Sequence, residues 1–292
     1  MCRKGLLAVG LTIGTLIAST GSAQAAVTIG SNLAGTPAQN APGCAVAGFP
    51  CTAVNVSLPP TSLAEGGLTS PVNGTVTSWR ARANTNNVSD DLSLQVLRRV
   101  SGTTYMGVST SAPQNWPPEV SPPLATSQPI QIGDSLALRN PMARLIYANT
   151  LPGQILEWHV TPEGPLGDGQ TRPADTIANQ REVLVQATIE PTNTLAFGAV
   201  TRNRKKGTAK VAMSVPNAGE LIYSGNGLVI SGPPKVAAAG DIKVGVRAFR
   251  RNREKLVRKG RLRVSFQVSF QPSFGSLRTA TEKLTLRKKQ KK

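Results

Sequence analysis

Apolar and polar positions alternate along most of this chain, and no segment sustains a helical period. Leu92, Leu94 and Val96 alternate with Ser93 and Gln95, and Val183, Val185, Ala187 and Ile189 alternate with Leu184, Gln186, Thr188 and Glu190. A period of two marks a strand with one buried face. Weaker patterns of the same kind predict strands near 74–83, 103–110, 135–139, 143–148 and 154–160. Turn pairs such as Ser101-Gly102 and Gly133-Asp134 separate them. About eight short strands of this kind predict a β-sandwich of jelly-roll type.

The alternation is cleaner toward the C-terminus. Leu262, Val264, Phe266, Val268 and Phe270 alternate with Arg261, Arg263, Ser265, Gln267 and Ser269. Ile242, Val244 and Val246 form a second such strand, and Val211, Met213 and Val215 a third. Further strands fit 219–224, 227–231 and 281–287, with Gly225-Asn226-Gly227 as a tight turn. The pattern breaks at 252–259, where Asn252 suits a helix N-cap, Leu256 and Val257 an inward face, and Gly260 a stop. Strands with a short helical crossover before the penultimate one predict an immunoglobulin-like sandwich. The expected fold class is all-β, with two β-sandwich domains, jelly-roll-like then immunoglobulin-like.

Residues 1–25 read differently. Arg3 and Lys4 precede an apolar run of 14 residues from Gly5 to Ala18, and Ala23-Gln24-Ala25 supplies the small residues of a cleavage site. This is the pattern of a secretory signal peptide, cut before Ala26. The run is shorter than the roughly 20 residues of a membrane-spanning helix. A secreted protein with no transmembrane segment is therefore expected. Removing Cys2 leaves Cys44 and Cys51, which in an oxidising compartment are expected to form a disulfide across a small loop.

The chain carries 33 Lys plus Arg and 15 Asp plus Glu over 292 residues, a formal charge of +18. That charge is unevenly placed. Residues 26–195 hold 8 Arg, no Lys and 11 acids, a net of −3, whereas residues 196–292 hold 23 cations and 4 acids, a net of +19. The composition shift, with Glu190-Pro191-Thr192-Asn193-Thr194, predicts a first domain over 26–189, a linker over 190–195 and a basic domain over 196–292.

Little in the sequence suggests catalysis. One His and three Cys exclude a zinc cluster, an iron–sulfur site and a Cys/His pair, and no cofactor is expected. Glu157 and His159 lie two residues apart on a predicted strand face, without a Gly-x-Ser-x-Gly elbow or a second His to complete a site. Asp168 and Asp175 read as solvated acids of a Gly/Pro-rich segment over 164–174. Trp79 and Trp158 read as core anchors. Trp116, in the stiff segment Asn115–Pro123, is the candidate for a glycan or peptide contact. Asn55, Asn73 and Asn87 begin matches to the glycan-acceptor pattern, which is short enough to arise by chance.

Several of these words recur together elsewhere. Gly66-Gly67-Leu68-Thr69-Ser70-Pro71, Gly74–Arg80, Leu94–Arg98 and Tyr105–Ser111 precede a Lys/Arg-rich C-terminal module. In this the chain resembles a group of secreted proteins of high-GC Gram-positive bacteria that have an N-terminal β-sandwich and a basic immunoglobulin-like domain. The shared motifs are strand and turn segments. The resemblance implies no catalytic residue and, because the linker lacks acidic repeats, no calcium site.

The basic module carries the strongest functional signal. Arg202, Arg204, Lys205 and Lys206 form one cluster. Arg250, Arg251, Arg253, Lys255, Arg258 and Lys259 crowd the crossover, and Lys210, Lys243, Arg247, Arg261, Arg263, Lys283 and Arg287 occupy outward strand positions. Summed into one positive face, such charges attract polyanions over a Debye length of roughly 8 Å at physiological salt. The expected partners are anionic cell-wall polymers or acidic polysaccharide, with no sequence-specific nucleic acid. The expected function is a secreted, non-enzymatic structural or adhesion-type protein held at the cell envelope by charge. The alternative is a carbohydrate-binding module or weak glycan-active enzyme using the N-terminal sandwich.

Overall fold

The computed structural model describes residues 26–37, 51–83, 92–114, 119–140, 147–158 and 164–290. The expected signal peptide lies outside the described residues, as do Cys44, Asn87, Trp116 and His159.

Twelve strands build the first sandwich: β1 (Val27–Gly30), β2 (Cys51–Ser57), β3 (Gly74–Ala83), β4 (Ser93–Ser101), β5 (Thr104–Thr110) and β6 (Glu119–Val120), then β7 (Leu124–Ile130), β8 (Ser135–Asn140), β9 (Tyr147–Trp158), β10 (Thr171–Pro173), β11 (Thr176–Val183) and β12 (Val185–Pro191). One sheet runs β1-β12-β3-β7, with β6 paired to the far end of β3. The other runs β10-β5-β4-β8-β2-β9-β11. Within them, β1-β12-β3-β7 facing β2-β8-β4-β5 is the eight-strand jelly roll expected from the sequence. The pair β9 and β11 extends one edge of the larger sheet, and β10 extends the other.

Between the sheets, Ile29, Val76, Trp79, Ala187 and Ile189 meet Leu94, Val96, Leu138 and Ile155. Val76 and Trp79 are three residues apart and cannot share a face of a regular strand. A bulge on β3, where Val76 pairs with Ile189 but Ser78 with Thr188, resets the phase so that both point inward.

The larger sheet is covered on its outer face as well. Leu97, Tyr105, Ala137, Leu156 and Trp158 form a second apolar cluster capped by Leu166, and Tyr105 meets Trp158 edge-on at 5.7 Å. Gln95, read as solvent-facing from its place in the alternation, is fully buried beneath this cover. Its amide donates to the Leu166 carbonyl at 2.7 Å and accepts from the Thr52 hydroxyl at 3.1 Å. The segment from Gly164 to Gln170 is thus a lid over a sheet, and it runs on into the edge strand β10.

The second sandwich comprises β13 (Ala196–Asn203), β14 (Thr208–Val215), β15 (Gly219–Ser224), β16 (Leu228–Ser231), β17 (Lys235–Val236), β18 (Gly240–Ala248), helix α1 (Arg251–Lys259), β19 (Arg261–Pro272) and β20 (Arg278–Arg287). Its sheets run β13-β14-β18-β16 and β17-β15-β19-β20, the strand arrangement of an immunoglobulin-like domain. Val211, Met213, Val244 and Val246 of one sheet pack on Phe266, Val268, Phe270 and Leu286 of the other.

The join between the sandwiches is shorter than 190–195. Strand β12 continues through Glu190 and Pro191, paired with Thr75 and Gly74, and Leu195 already belongs to the second core. The buried side chain of Asn217 ties the join together. Its carbonyl oxygen accepts from the Asn73 backbone N–H at 2.7 Å, and its amide donates to the carbonyls of Asn73 (3.0 Å) and Thr192 (2.7 Å). The Asn73 amide in turn donates to the Pro216 carbonyl at 2.8 Å.

Asn217→Ala strands these buried groups, and urea denaturation should show a loss of about 1–3 kcal/mol. An unchanged midpoint would mean that water replaces the bonds. Burial also raises the Tyr105 hydroxyl above its ordinary value of 10.0, against a smaller opposing effect of Arg99. Its contribution to stability is complete below pH 10 and is lost as pH rises through the raised value, because the unfolded chain loses the proton first. In alkaline denaturation series, the wild type should lose stability above pH 10 more steeply than Tyr105→Phe.

Candidate functional site

Helix α1 closes the end of the second sandwich that lies away from the join. Its sequence, Arg-Asn-Arg-Glu-Lys-Leu-Val-Arg-Lys, has Glu254 in the first turn and Arg258 and Lys259 in the last, which suit the helix dipole, while Arg251 and Arg253 in the first turn oppose it. Gly260, at φ 68°, ends it as expected, donating its N–H to the Leu256 carbonyl at 2.9 Å. Leu256 is the helix's one buried residue and joins the second core. Val257, expected to face inward beside it, is exposed, since neighbouring helical positions point about 100° apart.

The N-terminus also departs from expectation. The capping position is Arg250, not Asn252, and it makes no side-chain capping bond. Asn252 instead donates to the carbonyls of Asn226 (3.1 Å) and Gly227 (3.2 Å), tying the helix to the β15–β16 turn. Arg250 adopts φ 45° and ψ −128°. A side chain held there costs about 1–3 kcal/mol. Its guanidinium lies over the ring of Phe249, 5.1 Å from the centroid, and Phe249 is 43% exposed.

The C-terminal segment runs between the helix and the β13–β14 turn. Lys288 N–H donates to the Gly260 carbonyl at 2.8 Å and Lys289 N–H to that of Arg204 at 2.7 Å. The Lys288 ammonium donates to the Lys205 carbonyl at 3.1 Å, and the Gln290 amide to that of Val257 at 2.9 Å. An open cleft of about 1260 Å³ lies among these elements. Lys206 enters it from the turn, Arg247 from the end of β18, and Lys288 from the tail. Arg250, Arg251, Arg253, Lys255 and Arg258 come from the helix and its start. Glu254 is the one acid on the lining. Among the described residues no carboxylate forms an ion pair with a cleft cation.

The remaining basic residues do not form one face with these. Lys210 and Lys243 project outward from the β13-β14-β18-β16 sheet, while Arg261, Arg263, Lys283 and Arg287 project from the other. The outer faces of two packed sheets point in opposite directions, so the single positive face expected from strand alternation is two faces and a pole. Arg202 is occupied differently: its guanidinium donates to the Thr285 carbonyl at 3.0 Å, bridging the two sheets. Arg204, Lys205 and Lys259 are exposed beside the cleft but do not line it. Phe249 and Lys288 belong to it, though neither stood out in the sequence. Each sits one residue beyond a strand, where alternation has stopped carrying information.

Among the described residues, the candidates for chemistry in the first sandwich make structural contacts. Trp79 and Trp158 are core residues. Glu157 is fully buried on the same side of β9 as Ile155, between the sheets. Asp168 accepts from the Thr110 N–H at 3.0 Å and hydroxyl at 2.6 Å, tying the lid to β5, and Asp175 pairs locally with Arg172 of β10 at 3.0 Å, so neither faces solvent alone. Buried Asp134 takes Arg98 at 2.8 and 2.9 Å; this hydrogen bonding raises the Arg98 guanidinium above its ordinary value, against desolvation. Asn55 exchanges two 2.7 Å bonds with the Val183 backbone, and Asn73 is held at the join. Neither amide is free to carry a glycan in the folded protein.

Among the described residues no three His, Cys, Asp or Glu side chains gather closely enough to hold a metal ion, and no helix is long and apolar enough to cross a membrane. No protein-family model, curated protein or solved structure matches this chain.

Proposed function

We propose that this is a secreted, non-enzymatic protein that associates with an anionic cell envelope through the basic pole of its C-terminal sandwich. The observation that carries this reading is the cleft, where eight cations from four segments surround a concavity that holds one acid. Clustering them costs self-repulsion, which an arriving polyanion relieves while releasing its own counterions. The jelly roll, with its net charge of −3, presents the structural or adhesive surface. The reading includes the signal peptide over 1–25 and a Cys44–Cys51 disulfide, with Cys51 buried at the head of β2.

Retention of the full chain on purified cell wall or on a heparin-like polymer tests the attachment. Each ionic contact should contribute about 0.7–0.9 to the slope of log K against log salt, so retention should fall steeply between low and moderate salt. Combined Arg251→Glu and Arg258→Glu should weaken it at least ten-fold, and Lys243→Glu, on an outer sheet face, much less. Binding that ignores salt, or that falls equally in both variants, would remove the cleft from the mechanism. For the disulfide, the exported protein should show no reactive thiol until it is reduced, and two afterwards. Free thiols without reductant would contradict it.

A further inference from the structure

Resting on that reading, we propose that the cleft recognises tetrahedral oxyanion esters, phosphate or sulfate carried on a polymer, in preference to carboxylates, and that Arg250 mounted on Phe249 is its specificity-determining residue. Three features of the geometry lead there.

The cations approach from separate walls: Lys206 from a turn, Arg247 from a strand end, Arg251 and Arg258 from the helix, and Lys288 from the tail. The acceptor sites of a carboxylate, about four, lie in one plane, so donors above and below that plane are met poorly. A tetrahedral centre spreads its oxygens out of plane and is reached from several walls together.

The composition of the lining points the same way. Five of its eight cations are arginines. A guanidinium presents a weakly hydrated planar fork suited to phosphate-like oxyanions, whereas an ammonium acts as a strongly hydrated point charge. General attraction to a polyanion needs no arginine.

The third feature is Arg250 itself. Its backbone sits at φ 45°, a conformation that glycine adopts without strain and other residues rarely adopt, and it makes no capping bond. That conformation lays the guanidinium over the exposed Phe249 ring at the cleft mouth. Held there by a cation–π contact, the guanidinium is positioned by the ring while its N–H groups remain available to a ligand. Strain kept at such a position accords with a role in binding, since a glycine would serve the fold better.

The test uses the full chain and three polymers matched for charge at one salt concentration: polyphosphate, dextran sulfate and polygalacturonate. Polyphosphate, dextran sulfate or both should bind at least ten-fold more tightly than polygalacturonate, and whichever does identifies the source of the oxyanion. Arg250→Lys keeps the charge but loses the fork, and Arg250→Gly loses both while relaxing the backbone. Both should reduce the preference below three-fold, and Arg250→Gly should unfold at an equal or higher temperature, which separates lost recognition from lost folding. Equal binding of all three polymers by the wild type would overturn this inference and leave the electrostatic attachment standing. A preference unchanged in Arg250→Lys would overturn the role of Arg250. Failure to bind any of the three would overturn the attachment as well.

Discussion

Antiparallel connectivity decides where the charge of this protein can act. A chain that crosses a sandwich lengthwise, strand after strand, deposits alternate connections at opposite poles. In the second sandwich the β14–β15 and β19–β20 turns fall at the pole of the join, beside Thr192 and Asn193. The β13–β14 turn, the β15–β16 turn, helix α1 and the tail fall at the other. Basic clusters thirty or more residues apart in sequence, at 204–206, 247–258 and 288, therefore converge. A strand of nine residues is about 30 Å long, so the cleft lies several Debye lengths of roughly 8 Å from the join. The acids of the first sandwich cannot neutralise it across that distance.

The same constraint explains which parts of the site were legible in the sequence. The clusters at 202–206 and 250–259 are visible as runs of Lys and Arg, and Gly260 as a helix stop. Their convergence follows only from the parity of the strands, and alternation by itself places Lys243 and Arg263 on a common face that the packing of two sheets forbids. Asn252 shows how a local rule yields to a tertiary partner. Its side chain could cap the helix, but the two carbonyls of the β15–β16 turn claim it, and the cap position falls to Arg250.

In the first sandwich, alternation reveals one buried face but cannot say what covers the other. The strands at 92–96 and 185–189 follow the expected period, and the jelly-roll class with it, whereas Leu184, read as outward, is fully buried where the chain passes from β11 to β12. Gln95 reads as a solvent-facing residue because its chemistry is polar. Yet a buried glutamine is stable when its amide is satisfied, and the Leu166 carbonyl and Thr52 hydroxyl satisfy it. Apolar Leu97, Leu156 and Trp158 lie on that same outer side, and Leu166 arrives to cover them. The stretch over 164–174 looks like a flexible surface segment because it is rich in Gly and Pro, while Asp168 and the pairing of β10 with β5 hold it down. Edge strands such as β11, with only its last residues deeply buried, carry too little apolar content to declare a period.

Buried polar groups and strained backbone have opposite meanings in the two sandwiches. Asn217, Asn55 and Asp134 are enclosed with their hydrogen bonds met, and each fixes one chain segment against another. Such groups contribute specificity of arrangement, and their removal leaves a neighbour unsatisfied. At the basic pole the balance is reversed. Arg250 is strained, Phe249 is half exposed, and eight cations share a cleft with a single acid. The backbone strain at Arg250 and the mutual repulsion of the cations both weigh against the isolated fold, and a glycine at 250 would relieve the first. The core beneath tolerates them because Leu256, Gly260 and the stitched tail anchor the pole independently of its charges. Stability is thus concentrated in the sheets and the join, which leaves the far pole free to keep an arrangement whose benefit appears only when an anion is bound.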